Sequence, residues 1–394
     1  MSEEIPALPI PLGCGRLGHE YDQLREKGGV HRVALPDGSH AWLVTGYDQV
    51  SRALTDPELS LDRRHAHGWS GFSLPPALDA NLLNMDPPDH TRIRRLVAQA
   101  FTPRRVEALR PDVQRVADTL LDAVAVGNEA DLIAAYAAPL PVTVMSDLLG
   151  IPAADRDDFR AWTNAMLATY PPDRDAMAKA IAAMHGFVSD LVDARRRSPG
   201  DDLLSALLAA RDQDDRLSEN ELTSLVFLIL FAGYENSINL IANTVLVLLS
   251  HADTRGGSTF HAEQVPGAIE EAMRLFPPAP LAIRRFPTRD ITIDETSIPA
   301  GTTVLLSLAS ANRDPRAFPD PTGVDLGRDG NAHLSLGRGI HYCLGAPLAR
   351  MQARVAVDTL MRRLPRLTLA KPAQDLPWRP SFRTLGLVEL PVTW

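Results

Sequence analysis

The sequence predicts a mainly α protein with small β-sheets, folded as a single domain over residues 1–394. Three observations predict it. Helical apolar spacing dominates a core from about residue 88 to 275. Strand-like stretches are confined to an N-terminal β-rich part, about 28–46, and to the region after residue 280. No linker, internal repeat or low-complexity tract divides the chain, although its length alone would allow two or three domains.

The elements follow in order. VHRVALPDGSHAWLVTGY reads as two strands joined at Asp37-Gly38, a hairpin turn pair. TRIRRLVAQAF, VQRVADTLLDAV and IAAMHGFVSDLVDARRR repeat apolar residues every three or four positions, which puts them on one helix face. In SENELTSLVFLILFAGYENSINLIANTVLVLLSH, Ser218 and Glu221 form a capping-box pattern. From Leu225 to Leu249 that helix is apolar except for a polar centre. Its length would permit a membrane span. Glu235, Asn236, Asn239 and Asn243 would be costly in lipid, so the expectation is a helix buried in protein with its polar centre facing a site. DITIDETSIPAGTTVLLSL returns to short strands.

The bulk numbers exclude several classes. With 45% hydrophobic residues the chain can bury a large core, and a net charge of −9 argues against nucleic acid as a partner. The basic pairs Arg94-Arg95 and Arg104-Arg105 are isolated and not interleaved with aromatics. Two cysteines, Cys14 and Cys343, cannot make a disulfide framework, which favours a reducing compartment. MSEEIPALPIPLGCGRLG has neither a basic start nor a sustained apolar run, unlike a signal peptide or membrane anchor. The expectation is a cytoplasmic monomer with no membrane partner.

The stretch HLSLGRGIHYCLGAPLAR places Cys343 in a loop punctuated by Gly337, Gly339 and Gly345. A core strand or helix has little use for that backbone freedom. Zinc needs about four ligands, and Cys343 with His341 supplies two at most. A nucleophile wants its histidine across a cleft, whereas His341 is two residues away on a tight loop. What remains is a single axial thiolate. The following helix has Pro347 in its first turn, and Leu348, Met351 and Val355 keep helical spacing. A cysteine at that helix's N-terminus feels the positive end of its dipole, which favours the thiolate. On haem iron such a thiolate pushes electron density that favours O–O cleavage.

LGRGIHYCLG, residues 336–345, resembles the haem-binding loop of the cytochrome P450 monooxygenases, F-G-x-G-x-H-x-C-x-G. Every fixed position matches except the first, where Leu336 stands for phenylalanine. The resemblance extends to Glu271 and Arg274 in EEAMRLFP, similar to the family's E-x-x-R helix, whose pair locks the loop beneath the haem. It also covers ANRDP and AFPDPTGVDLGRD, which look like the family's meander, and so spans essentially the whole chain. It implies one haem b with Cys343 as the axial metal ligand beside Gly345. His90 and Arg94 in PPDHTRIRRL resemble the family's propionate-binding H-x-x-x-R, and Arg285 and His341 match two further propionate ligands. A dianionic porphyrin in an apolar core needs such cationic and hydrogen-bonding partners.

AGYEN, Ala232 to Asn236, resembles the oxygen-activation motif A-G-x-D/E-T. By that resemblance Ala232 and Gly233 leave space for dioxygen and substrate, and Glu235 relays protons through water. Asn236 occupies the threonine position. Its carboxamide donates and accepts hydrogen bonds but is a poor acid, so ordered water or a substrate hydroxyl is expected to complete the relay.

The resemblance further implies a ferredoxin, reduced by an NAD(P)H-dependent ferredoxin reductase, as electron donor to a hydroxylation or epoxidation by O2. Arg350 and Arg354, with Arg95, Arg104 and Arg105, are candidate docking cations. For the small hydrophobic substrate, family architecture points to Trp69, Phe72 and Leu83 in one pocket wall and Met166 and Tyr170 in another. Leu281, Ala282 and Ile283, and the turn at Leu385 and Gly386, form the remainder, the small residues suggesting room. A macrolide or other polyketide is the expected substrate class. The competing expectations are peroxide-driven or oxidative coupling chemistry, and a non-catalytic haem-bearing recruitment module, for which the atypical AGYEN is the support.

Overall fold

The computed structural model describes residues 5–10, 16–68, 74–99, 101–166, 173–200, 202–211, 217–254 and 261–394. Among them the longer helices are α1 (Arg16–Lys27), α2 (Asp89–Ala98), α3 (Arg110–Val124), α4 (Pro139–Leu149) and α5 (Arg156–Met166). There follow α6 (Arg174–Arg197), α7 (Leu203–Arg211), α8 (Glu219–Thr254), α9 (Val265–Leu275) and α10 (Ala346–Arg363).

Strands β1 (Val30–Ala34) and β2 (His40–Val44) form the expected antiparallel hairpin, Ala34 opposite His40, with Gly38 at φ +84° in the turn. The sheets otherwise join distant parts of the chain. β3 (Leu59–Ser60) pairs antiparallel with β5 (Phe286–Pro287), and β6 (Ile291–Ile293) with β7 (Thr296–Ile298). β8 (Val304–Leu306) adds parallel to β2, while β4 (Glu129–Asp131) and β9 (Thr368–Leu369) flank β10 (Pro391–Thr393).

α8 is the axis of the molecule. Ser218 and Glu221 cap it as expected: the Ser218 N–H donates to Glu221 Oε2 at 2.7 Å, and the Glu221 N–H to Ser218 Oγ at 3.2 Å. By length and composition it could cross a membrane, but most of it is buried against α4, α6, α9 and α10. The consecutive residues Val245, Leu246, Val247 and Leu248 are all buried, so the helix is enclosed around its circumference there, the pattern of a core helix. The stripe Leu228, Ala232 and Asn236, spaced four apart, stays half-buried, as do Phe231 and Gly233 beside it. That stripe is the helix face turned toward an interior space.

The main apolar cluster runs from Leu8 to Val392 and takes in side chains of α2 to α10. A second, smaller one lies beneath β2 and β8, with Val44, Val50, Leu306 and Leu308. α9 and α10 both pack on α8, and the loop bearing Cys343 enters α10 directly.

Candidate active site

The cysteine loop is held by its own backbone. The N–H groups of Gly337 and Cys343 donate to the carbonyls of Leu334 and Leu336, each at 2.8 Å. Gly337 and Gly339 adopt φ +72° and +70°, where L side chains are strained. A Cβ on Gly339 would also meet Thr55 Cγ2 at 3.0 Å. At the start of α10 the N–H groups of Gly345 and Ala346 hydrogen-bond toward the Cys343 sulfur. Burial pushes the thiol pKa up, and those two N–H groups, with the guanidinium charges of Arg94 and Arg350, pull against it. A metal cation on the sulfur would supply the missing stabilisation of the thiolate.

Beside the loop four basic side chains come together. His90 on α2 is 1% exposed, and its ring lies 4.2 Å, centroid to centroid, from that of His341. Neither His90 ring nitrogen has a hydrogen-bond partner among the described residues, nor does the buried Nε of Arg285. Arg285 otherwise donates to the carbonyls of Leu59 and Leu54, both at 3.1 Å, and Arg94 to the carbonyl of Tyr342 at 2.6 Å. Burial, and then the charges of His90, Arg285 and Arg94, drive the His341 pKa down to about 3. Burial takes Arg285 down to about 10, with Asp86 and Asp56 opposing. The Asp86 carboxylate is itself bonded by Ser60 and the Leu61 N–H. A buried surplus of cations with orphaned donors is costly unless an anion completes it. These residues fit a group with two carboxylates lying against the cysteine loop, as the propionates of haem would.

Glu271 and Arg274 on α9 are fully buried and bidentate, at 2.7 and 2.8 Å. Arg274 also donates to the carbonyls of Asn312, Pro321 and Gly323, while Glu271 accepts from Arg328, Asn331 and the Asp325 N–H. Asn312 then accepts from the Leu334 N–H at 2.7 Å and donates to Ser335 Oγ, so the pair reaches the root of the cysteine loop in two steps. The neighbouring Glu270, which the sequence reading passed over, binds Arg350 at 2.7 and 2.8 Å and His333 at 2.9 Å. Arg350, expected as a docking cation, is therefore largely neutralised by Glu270.

On α8, Asn236 Nδ2 donates to the Ala232 carbonyl at 3.1 Å. Gly233 faces α4, because a Cβ there would stand 2.9 Å from Met145 Cε. Glu235 is 4% exposed, with Oε1 at 3.5 Å from Arg379 Nη1, and lines a cleft of about 310 Å³ with Arg160, Asn164 and Tyr234. The rest of the polar centre serves packing: Asn243 Nδ2 donates to the carbonyls of Phe276 and Leu385. The room expected at Gly386 is taken by Asn239, whose Oδ1 would lie 2.0 Å from a Cβ there. This corrects the expectation that a small residue in that turn means space for substrate.

Of the other pocket residues, Trp69, Phe72 and Tyr170 lie outside the described residues. Leu83 is half-buried; Met166 and Leu385 are buried. Leu281 bridges Ser307, the Ala282 N–H donates to the Leu306 carbonyl at 2.9 Å, and Ile283 is 37% exposed. The segment 280–284, which the sequence places in a pocket wall, also carries Arg284, whose Nη2 donates to Asn84 Oδ1 at 3.0 Å.

Among the described residues no three His, Cys, Asp or Glu side chains gather as a metal-ligand group. One cysteine with N–H groups on its sulfur, beside a cationic cluster shaped for a dianion, defines the class: a haem–thiolate protein. The comparisons name the family. The cytochrome P450 family pattern matches residues 264–382. The chain is 44% identical to the cytochrome P450 monooxygenase PikC of Streptomyces venezuelae, over 98% of this chain and 95% of that one. It is 41% identical to the mycinamicin IV hydroxylase/epoxidase of Micromonospora griseorubida, over 96% of each. A solved structure of the tirandamycin C-bound P450 monooxygenase TamI superposes with a TM-score of 0.87 at 41% identity, covering 95% of this chain and 96% of that one. The chain belongs to the cytochrome P450 family, and is a haem–thiolate monooxygenase carrying one haem on a cysteine ligand.

Proposed function

We propose that this monooxygenase hydroxylates or epoxidises a bulky hydrophobic natural product of the macrolide or polyketide type, using electrons from a ferredoxin. The likeness over nearly the full chain to enzymes named for such chemistry carries the reading. The apolar walls at Met166, Leu281 and Ala282 support it. The same reading takes the chain as one domain, a monomer working in the cytoplasm.

Haem, when bound, supplies a redox-active iron at which dioxygen is activated. In the proposed assignment Cys343 would hold the haem iron through its sulfur, and the N–H groups of Gly345 and Ala346 would stabilise negative charge there. His90, Arg94, Arg285 and His341 bind the propionates, while Glu271 and Arg274 keep the cysteine loop in register. Ala232 keeps the helix slender where substrate approaches, whereas Gly233, expected to do the same, instead lets Met145 of α4 pack against the helix. Glu235, with Oε1 3.5 Å from Arg379 Nη1, is the carboxyl group through which protons pass inward by way of water. Asn236, with Nδ2 engaged by Ala232, offers Oδ1 to order that water.

Electrons enter from the face carrying the cysteine loop. Ile340 and Tyr342 are 52% and 39% exposed there, and Arg104 and Arg105 are exposed nearby in sequence to α2. An apolar centre with a basic rim suits an acidic ferredoxin.

Titrating the ferric protein with macrolides and other polyketides, followed at the Soret band, tests the substrate class. A saturable low- to high-spin shift is expected for at least one compound. Spin-state silence across that panel, with a normal resting spectrum, overturns it. Asn236 in place of threonine favours one second reading, peroxide-driven or coupling chemistry. Comparing the products formed with ferredoxin and with peroxide separates the two.

A further inference from the structure

The flank of α8 that bears Glu235 opens to solvent. The cleft of about 310 Å³ lined by Glu235 is bordered at its mouth by Asp157, Arg160, Ala161 and Asn164 of α5, all exposed. Arg160 and Asp157 pair with each other at 3.3 Å. At the inner end the lining turns buried: Tyr234 is 1% exposed and Glu235 4%. Glu235 Oε1 is itself shut off from solvent and accepts no hydrogen bond among the described residues. A buried carboxylate oxygen without a donor is costly unless water or a cation completes it.

One cation stands close. Arg379 Nη1 lies 3.5 Å from Oε1, within ion-pair range but beyond the roughly 2.8 Å of a charge-assisted hydrogen bond. The oxygen is therefore attracted without being occupied, and a water can bond it with no hydrogen bond broken. Arg379 is also fixed with respect to α8. Its N–H donates to the Gly386 carbonyl at 2.9 Å, and the Val388 N–H donates to the Pro377 carbonyl at 2.8 Å, so residues 377–388 fold back as a hairpin. Trp378 bridges Leu387 antiparallel within it. The hairpin grips successive turns of α8: Gly386 lies against Asn239, and the Leu385 carbonyl accepts from Asn243 Nδ2 at 3.2 Å. Glu235, Asn239 and Asn243 are spaced four apart and so share one helix face. Arg379 and Gly386, opposite each other in the hairpin, thus engage Glu235 and Asn239 on adjacent turns.

We propose that protons enter through the cleft between α5 and this hairpin, and that Arg379 is the positioning residue that holds Glu235 Oε1 at its inner end. The proposal rests on the reading of Glu235 as the relay carboxyl and adds the way in and the group that aims it. Water in the cleft passes a proton to the Glu235 carboxylate, and the carboxyl hands a proton to the next water inward. The carboxylate is thereby restored, and the step moves a proton and no electron. The charges around Glu235 are Arg379 from the hairpin and the Asp157–Arg160 pair of α5, with Tyr234 adjacent in sequence; Ile133 and Ala138 complete the lining without charge.

NADPH-driven oxygen consumption by the holoenzyme, supported by a plant-type ferredoxin and its reductase and followed in H2O and D2O, tests this without the natural substrate. R379Q should lower the rate about ten-fold and enlarge the solvent isotope effect, and R379K should restore most of both. A161F, which places a bulky side chain at the mouth of the cleft, should have the same effect on rate and isotope effect. Thermal unfolding and the Soret spectrum of each variant should match the parent. A crystal structure of the parent should show ordered water about 3 Å from Oε1, and that of R379Q a displaced carboxylate. Parental rate and isotope effect in either R379Q or A161F, with E235Q impaired, overturns the proposal and leaves the relay reading standing. If E235Q is itself unimpaired, the relay reading fails and the proposal falls with it.

Discussion

His90 is buried with both ring nitrogens unbonded among the described residues, against an imidazole and two guanidinium groups. Nothing in packing explains such an arrangement; an incoming dianion does. His90→Leu should therefore leave folding intact and weaken haem retention, read as faster haem loss to an excess acceptor protein. Glu235 makes a different demand. If it supplies the proton, Glu235→Gln should lower coupled turnover by roughly 10²-fold, with an enlarged solvent isotope effect. Unchanged kcat and isotope effect would remove it from the relay. Gly386 shows that one residue's reading can reverse. Gly386→Ala should cost roughly 1–3 kcal/mol through overpacking against Asn239. Combining it with Asn239→Ala should recover most of the lost thermal stability, whereas a pocket-lining glycine would show no such coupling.

At the scale of elements, α9 joins the meander to the cysteine loop through two adjacent carboxylates with separate partners. Glu271 is fully buried with Arg274 and Arg328, so Glu271→Gln leaves uncompensated cations and should cost roughly 3–5 kcal/mol. Thermal unfolding followed together with haem release checks this, since both should move. Glu270 has a pH signature. Burial would raise its pKa, but hydrogen bonds from Arg350 and His333 override this and hold it at about 2, below its ordinary 4.5. A depressed carboxylate stabilises the fold above its unfolded pKa and stops doing so as pH falls through the folded value. The Glu270 contribution is thus complete above 4.5 and fades toward about 2. Acid denaturation of Glu270→Gln should show a shallower loss of stability across that window than the parent chain, and coincident curves would refute the assignment.

At the scale of the whole molecule, the proposed entry point for electrons is the face carrying the cysteine loop. If the proposed ferredoxin docks over the exposed Ile340 and Tyr342 and uses exposed cations such as Arg104, reduction is an ionic-strength-dependent step. The second-order reduction rate should fall steeply as salt is raised, and Arg104→Glu should lower it at low salt only. A rate indifferent to salt would move the docking face elsewhere.

What the chain order displays was readable directly. The hairpin at Asp37-Gly38, the capping box of α8, the apolar periodicity of α2, α3, α6 and α10 and the spacing of the cysteine loop are all local patterns. Each depends on contacts within a few residues, so sequence alone determined them, and with them the family and the thiolate ligand. Tertiary structure decided what depends on distant segments meeting. It gave Arg350 to Glu270 and filled the space beside Gly386 with Asn239. No periodicity encodes those meetings, because charge compensation and close packing are settled only when segments some hundred residues apart share the same low-dielectric space.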